Sequence, residues 1–141
     1  MEIEPKLTPN IVLSDFVLRD QATGKYTLVG TFDEFNLPAF PFQPPPFFVT
    51  VSLSSFRGRL QRYKISISIE EKASGEIFAH AIGEITSSAE VKPTDTIQIP
   101  FQLTGQFKSQ GVHTVAVSAG NKRLGSREFL VSLKPSGAAQ S

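Results

Sequence analysis

The sequence predicts an all-β protein: an antiparallel two-sheet β-sandwich, immunoglobulin-like, with about eight strands. Three observations predict it. Apolar and polar residues alternate with period two, most cleanly in YKISISIE. There Tyr63, Ile65, Ile67 and Ile69 share one face, and Lys64, Ser66, Ser68 and Glu70 share the other. Turn residues such as Gly24, Gly75 and Gly120–Asn121 punctuate these runs at regular spacing. No segment carries a convincing helical period. EIFAHAIGEI comes nearest, but Gly75 flanks it, Gly83 interrupts it, and its β-branched residues favour a strand.

The strands fall near 10–19, 25–33, 47–56, 61–71, 76–86, 95–104, 111–119 and 124–133. The first two join through DQATGK, where Asp20 starts the turn and Gly24 supplies a positive φ. FFVTVSLSSF turns Phe47, Val49, Val51 and Leu53 inward. TIQIPFQLT does the same with Ile97, Ile99, Phe101 and Leu103. Its Pro100 cannot donate to a ladder, which places that strand at an edge or at a bulge. REFLVSL turns Phe129, Val131 and Leu133 inward. Residues 1–133 read as one domain, and the small, polar stretch 134–141 as a disordered tail.

The chain has 141 residues, 40% of them hydrophobic and 19% charged, within the range of a globular domain. A net charge of +1 calls for no polyanionic partner. With no cysteine, disulfides, thiolate metal sites and cysteine nucleophiles are excluded. The opening MEIEPKLTPN lacks the regions of a signal peptide, and no apolar run is long enough to span a bilayer. The expectation is a soluble, cytoplasmic protein.

The opening hairpin SDFVLRDQATGKYTLVGTFDEF carries a resemblance. Asp15, Val17, Arg19 and Asp20 are followed by Thr23, Gly24 and Lys25, and then by Leu28, Gly30 and Phe32. This pattern resembles an uncharacterised bacterial family of small β-sandwich proteins, a domain of unknown function. The closing GVHTVAVSAGNKRLGSREFLVSL is similar to that family's last hairpin, but His113 stands where its tyrosine would be and Val115 where its phenylalanine would be. The resemblance implies a sandwich and assigns no activity and no site residues.

The residues themselves argue against enzyme chemistry. His80 and His113 are the only histidines. His113 shares parity with Val115 and Val117, so it is read as a partly buried ring in a tyrosine-like site, with a catalytic or metal role as the alternative. Asp33 and Glu34 are adjacent, as are Glu70 and Glu71, and neighbours on a strand point to opposite faces. Asp20 is read as a turn cap, since DQATGK lacks the spacing of a calcium loop. Asp15 shares parity with Ile11 and Leu13 and is expected to face inward near Gly30, accepting main-chain N–H bonds. No phosphate-binding loop, nucleophile elbow or zinc spacing occurs. No cofactor and no metal are expected.

If consecutive strands alternate in direction, the connections separate to two ends. Loops near 20–24, 57–61, 87–94 and 120–123 share one end; those near 34–46, 72–75 and 105–110 share the other. The first is basic. RGRLQRYK supplies Arg57, Arg59, Arg62 and Lys64 as a candidate anion contact, with Lys25, Lys92, Lys122 and Arg123 expected beside them. The favoured reading of those charges is a solvated cluster that blunts strand edges.

The second end carries LPAFPFQPPPFF, which holds half of the ten prolines and four of the twelve phenylalanines. Phe47 is assigned to the core. Phe40, Phe42 and Phe48, with Pro41 and Pro44, either cap the sandwich or form a protein contact, because four exposed rings would make an apolar patch that monomers avoid. The favoured function is a non-catalytic protein-interaction or assembly module, self-association included, using this end or a strand edge. Anion or nucleic-acid binding at the basic end is the alternative. A carbohydrate-binding sandwich comes third, weakened by the lack of tryptophan.

Overall fold

The computed structural model describes residues 6–134 apart from Arg57 and Ser88. Among them are nine strands and no helix: β1 (Lys6–Arg19), β2 (Tyr26–Phe32), β3 (Glu34–Leu37), β4 (Phe47–Ser54), β5 (Tyr63–Glu71), β6 (Ile77–Ile85), β7 (Ile97–Leu103), β8 (Gly111–Ala119) and β9 (Lys122–Leu133). They form a four-stranded sheet in the order β2-β1-β4-β7 and a five-stranded sheet in the order β3-β9-β8-β5-β6. The pairs are antiparallel except β3 with β9, which run parallel.

The two inner faces make the core. Ile11, Leu13, Val49, Val51, Leu53, Phe101 and Leu103 of the first sheet and Ile65, Ile67, Ile69, Val115, Val117, Phe129 and Val131 of the second are all buried in one cluster. The period-two pattern therefore assigns faces correctly in each of these strands. Leu133 departs from it: at the end of β9 it is exposed. Pro100 sits on β7, an edge strand that pairs with β4 alone, so its missing N–H costs no ladder bond. Gly24 has φ +71°, and Asp20 Oδ1 accepts the amides of Ala22 and Thr23 at 2.8 and 3.2 Å, as the turn chemistry requires. Lys134 lies next to β9, its amide donating to the Leu37 carbonyl at 2.6 Å; the rest of the expected tail lies outside the described residues.

The ninth strand changes the architecture. Residues 34–37, expected within a crossover, form β3 in the second sheet. Asp33 alone carries the chain between sheets, and Phe32 and Phe35 meet edge to face at 4.7 Å across that corner. β3 also adds a reversal between β2 and β4. β1 runs antiparallel to β4, so the 20–25 turn lies at the end where β4 begins. The grouping of this turn with the basic end is therefore wrong: it lies with the 38–46, 72–76 and 104–110 connections.

Candidate functional site

The Phe/Pro connection is held in place from both sides. Phe42 N donates to the Phe107 carbonyl at 2.9 Å and Phe107 N to the Phe42 carbonyl at 2.9 Å, an isolated antiparallel bridge between two loops. Phe40 and Phe42 are half-buried and rest on the core, Pro44 is buried and Phe47 is fully inside. These residues close the core at this end. Pro41, joined to Phe40 by a cis peptide bond, is exposed. Phe48 differs from its neighbours, standing half-exposed on the outer face of the first sheet, level with Ser14 and Gln102.

Beside Phe48 the β1–β2 hairpin overhangs the sandwich. Pairing between β1 and β4 stops at Ser14–Phe48, whereas β1 and β2 stay paired to Arg19–Tyr26. Five residues of strand extend about 17 Å past the last rung of that ladder. Phe16 is 63% exposed, Leu18 59% and Val29 40%, and all three share one face. β2 is also a sheet edge. Asp15 lies on the overhang too. It is exposed, not inward and buried as its parity suggested, because β1 has lost its β4 neighbour there. It does lie against Gly30, as the hairpin register requires.

At the same end a cleft of about 190 Å³ opens between the 72–76 and 104–110 connections. Phe78 and Phe107 stack on one side of it at 3.8 Å and 9°. His113, 2% exposed, lies edge-on to Phe107 with ring centroids 5.1 Å apart. Its Nδ1 lies 3.1 Å from the Gly111 carbonyl. The ring is thus buried more fully than the partial burial expected of it. Around the cleft, Lys108 pairs with Glu76, and the Ser109 hydroxyl donates to Glu71. Hydrogen bonds from Ser109 and then Ser74 hold the Glu71 carboxyl below its ordinary pKa, with smaller help from His113 and Lys108. The hydrogen bond that Lys108 donates to Glu76 raises the pKa of the Lys108 ammonium above its ordinary value. His113 lines this cleft and Asp33 a separate crevice beside Arg127.

Two of the basic end's arginines are paired with glutamates. Arg59, Arg62 and Lys64 are exposed; Arg57 lies outside the described residues. Arg62 Nε lies 3.5 Å from Glu84 Oε2, and Lys64 is the cross-strand partner of the same glutamate. Arg123 pairs with Glu70 at 3.3 Å. Lys25 is lost to this end with its turn.

Neither the overhang nor the cleft was assigned from sequence. The overhang had a signal in the consecutive apolar run Phe16-Val17-Leu18, which breaks the alternation of the strand before it. The cleft had only the correct grouping of its two loops.

A family model matches residues 10–132 and is described as a family of unknown function, DUF6941. The chain belongs to DUF6941. The uncharacterised family that the opening hairpin suggested is thereby shown. No curated protein matches the chain. Among solved structures, this DUF6941 chain is similar to Pseudomonas fluorescens alkylpurine DNA glycosylase AlkC bound to DNA containing an abasic site analog. The identity is 16% and the TM-score 0.52, over 92% of this chain and 30% of that one. A β-glucosidase from Listeria innocua in complex with glucose is 15% identical with a TM-score of 0.47, over 94% of this chain and 16% of that one. The DUF6941 chain thus spans less than a third of either protein. At such identities the likeness to the glycosylase is one of fold alone.

Proposed function

We propose that this protein is a cytoplasmic, non-catalytic protein-interaction module with an immunoglobulin-like sandwich as scaffold. Its contact surface is the overhanging β1–β2 hairpin together with Phe48. One observation carries the reading: Phe16, Leu18 and Val29 stand exposed on one face of a hairpin that extends beyond the β1–β4 ladder. Exposed apolar clusters on a defined element are the usual mark of a contact surface. The open edge of β2 offers main-chain groups beside it. Among possible partners, a second copy of the chain is the first to test. The pairing of Arg62 and Arg123 with glutamates weighs against anion binding at the basic end.

The test is light scattering after size exclusion on the wild type and on a Phe16→Ser, Leu18→Ser, Val29→Thr variant, across concentration and at low and high salt. The reading expects a wild type above monomer mass, little affected by salt, and a variant that is folded and monomeric. A wild type that stays monomeric at high concentration, unchanged by the substitutions, would count against self-association through this surface.

A further inference from the structure

The cleft beside the Phe/Pro end selects a chemistry. At about 190 Å³ it lies below the roughly 300–1,000 Å³ of pockets that hold drug-sized ligands or cofactors. It has room for a single side chain. Its charged lining is two carboxylates, Glu71 and Glu76, against one ammonium, Lys108, which leaves one negative charge in excess. Lys108 is committed to Glu76, while Glu71 takes its side-chain hydrogen bonds from hydroxyls, Ser109 and Ser74, which supply no charge, with only smaller electrostatic help from His113 and Lys108.

His113 adds a second acceptor. The Gly111 carbonyl can only accept, so the bond at Nδ1 puts the ring proton there. In that tautomer Nε2 carries a lone pair, and among the described residues Nε2 has no hydrogen-bond partner. The ring is 2% exposed and lines the cleft. Nε2 is not among the buried unpartnered atoms, so its lone pair is open to a donor that enters the cleft. The stacked Phe78 and Phe107 supply the apolar wall.

Two acceptors, an excess negative charge and an aromatic wall suit a group that only donates, bears a positive charge and is flat enough to lie on a ring. Guanidinium meets all three conditions, and an ammonium meets the first two. We propose that the cleft receives one arginine side chain of a protein partner, seated on Phe78 and bonded to Glu71 and His113. The source of the arginine rests on the interaction reading above; the chemistry of the cleft does not. An arginine in a desolvated pocket is a common anchor of protein interfaces.

The experiment uses N-acetyl-arginine amide as probe and N-acetyl-citrulline amide as its uncharged counterpart. Both are titrated into the full chain, with NMR following the His113 ring and the Ser109 amide. Arginine amide should shift both signals saturably at millimolar concentration. Citrulline amide, and arginine amide on Glu71→Gln, should bind at least tenfold more weakly, with the variant's spectrum showing that it is folded. No saturable shift, or equal binding of the two probes, overturns the assignment. Either result leaves the hairpin reading to its own test, since Phe16, Leu18 and Val29 do not line the cleft.

Discussion

Arg127 on β9 donates from Nη1 to the main-chain carbonyl of Ile11 on β1, joining one sheet to the other across 116 positions of sequence. The β1–β4 register shifts just before Ile11, and the β1–β2 pairing begins only at Leu13. Arg127 is half-buried, so the bond is partly shielded from water. Replacing Arg127 by Met keeps the aliphatic stem and removes the donor. We expect a loss of about 1.5–3 kcal/mol, the range for a hydrogen bond from a charged group. Urea denaturation would measure it.

Gly30 and Asp15 are coupled in the overhang. Gly30 has φ +68°, and a Cβ built there would come within 2.5 Å of Asp15 Oδ2. Gly30→Ala should therefore cost more than the ~1–2 kcal/mol of a left-handed conformation alone. In the double variant Gly30→Ala, Asp15→Gly the steric part should disappear and only the backbone part remain. A double-mutant cycle by thermal denaturation separates the two.

Thr50 presents the opposite case, a group whose removal should help. It is 1% exposed on β4, and its Oγ1 has no hydrogen-bond partner among the described residues. Valine has nearly the same shape without the hydroxyl. Thr50→Val should raise stability by about 1 kcal/mol, the low end of the cost of a buried unsatisfied group. An unchanged or lowered urea midpoint would contradict this.

Glu71 should make stability depend on pH. Its carboxyl is held below the ordinary value of 4.5 by Ser109 and Ser74, so the folded state favours the ionised form more than the unfolded state does. That contribution is complete above 4.5 and is lost as pH falls through the lower folded value. Wild type should thus lose stability faster than Glu71→Gln between about pH 5 and about pH 3. Parallel denaturation curves of the two proteins over that range supply the check.

What the chain determined by itself was local. Alternation along 47–53 and 63–69 assigned each residue to one face of its strand, because side chains on a strand leave opposite faces wherever the strand is placed, but it did not foresee that Thr50 and Ser52 on the outer face of β4 are buried as well. Asp20 and Gly24 specified their turn, Pro100 its edge strand, and His113 its burial, each from its own chemistry and parity. The opening hairpin was enough to suggest the family. The tertiary structure decided everything that depends on which strand lies beside which. The four residues of β3 pair in parallel with a strand nearly 100 positions away, and that distant pairing moves the first turn to the opposite end. Asp15, of inward parity, is exposed because β4 begins only at Phe47. The cleft brings Glu71, Phe78, Phe107 and His113 together from three separate segments. Period two assigns a side chain to a face but holds no record of the neighbour on that face; the packing of the two sheets supplies it.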